Sequence, residues 1–136
     1  MMNYLFENEF IRVNIGEDNT VLEIIGKQIC DDFQIIKELL IIIKKTVKQA
    51  HIEKIIFKLE GFNTVGDDDF IYNEFFPFLG KFGVHQIAVI TGNDQKTKIY
   101  FEELGQYLTP LKKQYHIETK QFETTNECFR WIEITR

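Results

Sequence analysis

Apolar and polar positions alternate early in the chain. Between Phe10 and Ile15, Ile11, Val13 and Ile15 alternate with Arg12 and Asn14, the period of a strand with one buried face. Gly16–Thr20 is a turn cluster, and Val21–Ile25 reads as a second strand. The two are expected to form a hairpin with a five-residue loop. The period then changes. Phe33, Ile36, Leu40, Ile43, Val47 and Ala50 step by three and four, with Ile35, Leu39 and Ile42 as a second stripe beside them. That spacing predicts a helix over residues 31–51 with a wide apolar face. Asp31 and Gln34 have capping-box spacing at its start. Lys44, Lys45 and Lys48 lie near its end, where a cation suits the helix dipole.

Lys54-Ile-Ile-Phe-Lys-Leu59 reads as a buried central strand. An acidic stretch follows. Glu60, Asp67, Asp68, Asp69 and Glu74 stand between Lys58 and Lys81 with no basic residue among them. Asp68 or Asp69 is placed to cap the next helix. In that helix Ile71, Phe75, Phe78 or Leu79, and Phe82 share a face. Pro77 must kink it or begin a second short helix, and Gly83 suits a left-handed stop. Gln86–Ile90 is an apolar fourth strand. A long helical pattern from Tyr100 to Tyr115 follows, interrupted by Pro110. Ile117–Phe122 is polar enough for a sheet edge. Thr124-Thr-Asn-Glu127 is a capping box for a last helix carrying Cys128, Phe129, Trp131 and Ile132. The order β-β-α-β-α-β-α-β-α predicts an α/β sandwich in one domain spanning residues 1–136. Its mixed sheet has five strands, parallel apart from the opening hairpin, with four helices.

Composition narrows the function classes. A net charge of −5 disfavours a dedicated nucleic-acid binder, whose phosphate contacts need a basic surface. Cys30 and Cys128 are far apart and do not suggest a disulfide scaffold. The acidic N-terminus lacks the basic region of a signal peptide, and no apolar run approaches a membrane span. A cytoplasmic protein is the expectation.

Three local patterns go together: the strand Ile24-Ile-Gly26 leading to Asp31-Asp32, the Gly turn and strand Phe82-Gly-Val-His-Gln-Ile-Ala-Val-Ile90, and the end Phe122-Glu-Thr-Thr-Asn-Glu-Cys-Phe-Arg-Trp-Ile132. They resemble the STAS fold of anti-sigma factor antagonists of the sporulation type, and more closely the small bacterial STAS/SEC14-like proteins. The resemblance spans Val21 to Ile132. It implies the sandwich fold and a regulatory role through binding another protein. Antagonists of this kind present a phosphorylatable Ser after the third strand. The matching stretch here, Val65-Gly-Asp-Asp-Asp-Phe70, holds none, and the chain contains no Ser at all. Carboxylates cannot gain and lose charge as a phosphorylated hydroxyl does. The resemblance therefore does not extend to the phosphoswitch.

Two readings of the function follow. The first is a non-enzymatic interaction module without cofactor. Its partner-binding loop comprises Asp67, Asp68, Asp69, Phe70 and Tyr72, and the wide face of helix 31–51 offers a homodimer surface. The second is a carrier of a small apolar ligand in a pocket lined by Phe75, Phe76, Phe78 and Phe82. Each aromatic has a plain core-packing alternative, and the acids have helix capping. His51, His85 and His116 each precede a strand on one edge of the sheet. They suit helix C-termini better than a metal, since no carboxylate or Cys shares their spacing. Glu60, Asp94, Glu123, Thr91 and Asn93 gather at the opposite edge with the Asp67–Asp69 run, an oxygen set of the kind Mg²⁺ or Ca²⁺ takes. Neither Cys has a base at a telling spacing, so no nucleophilic enzyme is read.

Overall fold

The computed structural model describes residues 2–27, 33–58, 74–92, 95, 99, 112–114 and 116–134. The strands are β1 (Met2–Glu7), β2 (Ile11–Gly16), β3 (Val21–Gly26), β4 (Lys54–Lys58), β5 (Gln86–Ile90) and β6 (Glu118–Phe122). The helices with described bounds are α1 (Phe33–Ala50), α2 (Phe76–Lys81) and α3 (Thr125–Ile134). Between β5 and β6, Gln95, Ile99 and residues 112–114 are helical. The sheet is mixed and runs β1-β2-β3-β4-β5-β6. β1–β2 and β2–β3 are antiparallel, and β3 to β6 are parallel.

The sheet therefore has six strands, not the five expected from sequence. The additional one is β1. Its ladder with β2 slips between Tyr4 and Phe6, leaving Leu5 as an extra residue. Such a bulge breaks the alternation by which strands are recognised. Asn8 closes the β1–β2 turn, its Oδ1 accepting from the backbone N–H of Phe10 and Ile11 at 2.8 Å each. Lys27 ties the same end together. Its Nζ lies 2.7 Å from Glu7 Oε2 and 2.8 Å from Asn8 O. The Lys27 hydrogen bond holds the Glu7 carboxyl below the usual carboxylate range.

Each parallel strand is laid beside the one before it in the same direction. Right-handed connections then put the crossover helices on one face of the sheet. α1 and α2 both lie there. Leu39, Ile43 and Val47 of α1 pack with Phe76 and Leu79 of α2, and with Phe75, on Ile11, Val13, Leu22, Ile24, Ile55 and Ile87. α3 is not a crossover. It covers the opposite face, where Cys128 and Ile132 pack on Ile56, Ala88, Ile90 and Phe122.

Helix ends follow the punctuation read from sequence. Pro77 stands in the first turn of α2, where a missing N–H costs nothing. Gly83 follows that helix at φ 98°, with Gly83 N–H on Gly80 O and Val84 N–H on Leu79 O. This is a Schellman turn. α1 ends in the same way, with Ile52 N–H on Val47 O, but the left-handed position is His51 at φ 56°. His116 is also left-handed at φ 59°, but there its own N–H bonds Lys112 O, the simpler αL closure. Each left-handed residue precedes a buried branched side chain: Ile52, Val84 and Ile117. A side chain in this region carries a steric cost that glycine escapes. His51→Gly is therefore expected to raise stability by about 0.5 kcal/mol, since the strain relieved exceeds the extra chain entropy glycine brings. Urea denaturation checks this; a loss of stability would mean that the imidazole makes a contact worth more than the strain.

α3 starts as expected from sequence. Thr124 Oγ1 accepts from Glu127 N–H at 3.3 Å. The Asp31 cap, the Asp68 or Asp69 cap and the Pro110 interruption lie outside the described residues.

Candidate interaction surface

The face of the sheet that carries α3 holds most of the buried polar groups. Asn14, Glu23, Lys54 and Gln86 are all buried on strands. Asn14 and Glu23 sit opposite each other on β2 and β3. Asn14 Nδ2 donates to Glu23 Oε1 at 2.9 Å, and Arg12 Nε donates to Asn14 Oδ1 at 3.0 Å. The Arg12 guanidinium also lies 5.4 Å from the centre of the Tyr4 ring. At this distance the ring quadrupole attracts the cation. Lys54 Nζ donates to the carbonyl of Ile132 at 2.7 Å. A cation on the last-turn carbonyls is the favourable end of a helix dipole. Lys54 thus locks α3 onto β4.

Cys128 faces the same side and is buried. Burial first, and then the Glu23 carboxylate, push its thiol up to about 12. At neutral pH it is a protonated thiol, and the thiolate is the nucleophilic form. It serves here as a small apolar side chain.

The aromatic segment divides in two. Phe75 and Phe76 are buried, edge to face at 5.6 Å, within the α1–α2 core. Phe78 and Phe82 are half-buried and lie 4.5 Å apart. Lys44 Nζ stands 4.7 Å from the Phe78 ring centre, and Lys48 and Lys81 stand 5.6 and 5.9 Å from that of Phe82. These are cation–π contacts between lysines of α1 and α2 and the two outer rings.

The two sheet edges that sequence marked for chemistry are only partly within the described residues. His51 and His116 are exposed helix-end residues and His85 is half-buried. His85 joins a backbone chain, its N–H on Glu53 O and its carbonyl accepting from Glu118 N–H. At the opposite edge Thr91 is buried, its N–H on Phe122 O, and Glu123 is exposed. Glu60, Asp67, Asp68, Asp69, Phe70, Tyr72, Asn93, Asp94 and Cys30 lie outside the described residues. Among the described residues, no group of three His, Cys, Asp or Glu is placed to hold a metal ion. No helix there is long and apolar enough to cross a membrane.

Among the described residues, the large apolar side chains left in solvent are Tyr4, 59% exposed, Leu5, 43%, and Ile41 and Ile99, each 52%. Ile41 stands on the outer line of α1 with Gln34, Glu38, Lys45 and Lys48, all exposed. Of the wide apolar stripe read from sequence, Leu39, Ile43 and Val47 are buried and Ile35, Leu40, Ile42 and Ala50 half-buried. Sequence reasoning passed over Tyr4, Leu5 and Lys54. A lysine opening an apolar strand signals either a solvated end or a buried anchor, and the partner that decides it lies at Ile132.

Comparison with protein-family models, curated proteins and solved structures finds no match.

Proposed function

We propose that this chain is a non-enzymatic, STAS-like protein-interaction module that works without a phosphorylatable Ser. The observation that carries this reading is where the described side chains are spent. Lys54 holds a helix end, Asn14 and Glu23 hold each other, and Cys128 is a neutral thiol in the core. These described groups serve packing, which favours a module over an enzyme. Phe75 and Phe76, half of the lining a carrier would need, are core residues between α1 and α2. The element order supports the likeness too, repeating β-β-α-β-α-β-α-β-α with one strand added in front.

On this reading the run Asp67–Asp69 with Phe70 and Tyr72 is the partner-binding segment. Its acids lie in the longest stretch of the chain without a basic residue, and charge of one sign guides a partner of the other. Replacing Asp67, Asp68 and Asp69 together by Asn keeps shape and removes charge. Capture of the partner by immobilised protein, quantified by mass spectrometry against wild type, is expected to fall about tenfold or more, as rim charges act chiefly on association rate. Equal capture by both proteins would sink the assignment of this segment.

A further inference from the structure

We propose that the C-terminal halves of α1 and α2 form a docking surface for a short acidic segment of a partner protein, one that carries an apolar side chain among its carboxylates. This surface rests on the interaction-module reading and is additional to the Asp67–Asp69 segment. The charge here runs against that of the whole chain. The chain carries a net −5, yet no acid stands from Leu39 to Ile52 or from Phe75 to Gln86. Lys44, Lys45, Lys48 and Lys81 all fall within those two stretches. As crossovers between parallel strands on one face, α1 and α2 run side by side in the same direction. Two ring contacts fix their register. Lys44 Nζ stands 4.7 Å from the Phe78 ring centre, and four residues further on in both helices Lys48 Nζ stands 5.6 Å from that of Phe82.

A cation in the last turn suits a helix dipole, but that does not account for the crowding. Lys45 and Lys48 are exposed on α1 three residues apart, a spacing at which like charges repel. Lys48 and Lys81 come from different helices and address one ring, at 5.6 and 5.9 Å from the centre of Phe82. An ammonium on a ring face keeps N–H donors for an anion. It is also partly ordered before a partner arrives, which lowers the ordering cost of binding. Carboxylates from outside relieve the repulsion. The apolar element is Ile41, 52% exposed and on the same outer line of α1 as Lys45 and Lys48. At about 1.5 Å per residue, Ile41 and Lys48 lie about 10 Å apart along the helix, close to two turns. A helical segment with acids three or four residues apart and one apolar side chain beside them matches that span. A nucleic acid fits less well, since its phosphates would meet a chain of their own sign. A lipid surface fits less well too. Phe78 and Phe82 are half-buried with lysine heads at their faces, whereas interfacial binding scales with the apolar area that enters the acyl boundary.

The test starts by panning the immobilised protein against a displayed library of random peptides. Recovered peptides are titrated into isotope-labelled wild type, Lys45→Glu/Lys48→Glu, and a control with the same charge change on β6 and α3, Lys120→Glu/Arg130→Glu. Thermal unfolding checks the fold of each. The expected peptides are rich in Asp and Glu around an apolar residue. They shift the amide resonances of residues 41–48 and 78–82, bind the α1 variant about tenfold or more weakly, and bind the control as they bind wild type. Added salt weakens them, because exposed charges are screened. An empty selection, peptides without acids, or equal binding to wild type and the α1 variant overturns the proposal. So does flotation with phosphatidylserine vesicles that is lost in the α1 variant, which would assign the lysines to a lipid surface. Self-association of wild type in sedimentation, lost in the same variant, overturns it in favour of a second copy. Partner capture that depends on Asp67–Asp69 without any α1-dependent peptide leaves the module reading intact and removes this surface. An α1-dependent peptide with capture indifferent to those acids keeps this surface and removes the acidic segment.

Discussion

Phe75→Ala is expected to lower the unfolding free energy by about 3–5 kcal/mol, the range for truncating a buried phenylalanine. The ring is 2% exposed at the entrance of α2. It touches Phe76 edge to face and belongs to the cluster of Leu39, Ile43, Val47 and Leu79 over the sheet. Removing it forfeits the transfer free energy of the ring. It also leaves a cavity that cannot collapse easily, because Pro77 and the short helix behind it restrict movement. Denaturant unfolding measures the change as a lower midpoint at constant slope. A loss below about 1.5 kcal/mol would mean that the site relaxes like a repacked swap and that the ring is not a core member. The chain has one tryptophan, Trp131, on the far face of the sheet. Its emission under native conditions is expected to be the same in Phe75→Ala as in wild type.

Lys54→Ala is expected to cost about 2–3 kcal/mol, the range for a hydrogen bond to a charged group together with an acceptor left without it. Here the signal is local. The lysine is 4% exposed and holds the Ile132 carbonyl of the helix packed on its own face of the sheet. Trp131 sits next to that carbonyl, its ring 5.6 Å from Phe122. Loosening α3 therefore changes Trp131 emission in buffer, before the global transition begins. Lys54→Met keeps the apolar stem and loses only the charged donor. It is expected to show the emission change with a smaller loss of stability. Wild-type emission in both variants would show that packing alone docks α3.

These two sites also divide what could be read from the chain. Phe75 was legible. It falls on a face with Phe78 or Leu79 and Phe82 at helical spacing, and core packing was among its readings. β5 was legible to the residue, since Gln86 opens the continuous apolar run Ile87–Ile90. Lys54 was not, because nothing local separates a buried lysine from a solvated one. The histidines were half legible. Their place before strands was plain, whereas His51 and His116 standing in the left-handed position glycine fills at Gly83 was not. The acidic residues Asp67–Asp69, on which the proposed function depends, are known from sequence alone.

Local chemistry settled most of the elements. Period three-and-four made α1, period two made β2, unbroken branched runs made β4 and β5, and Pro77, Gly83 and Thr124 placed helix ends. Each of these is an interaction within a few residues, so the order of letters is enough. Only the tertiary structure decided the sixth strand, the burial of Lys54 and the solvent exposure of Tyr4 and Leu5. β1 is stabilised by its ladder with β2, and its bulge erases the alternation that would announce it. Lys54 finds its acceptor 78 residues away. Which side chains an edge strand leaves in solvent depends on the strand beside it, and that neighbour is chosen by the fold.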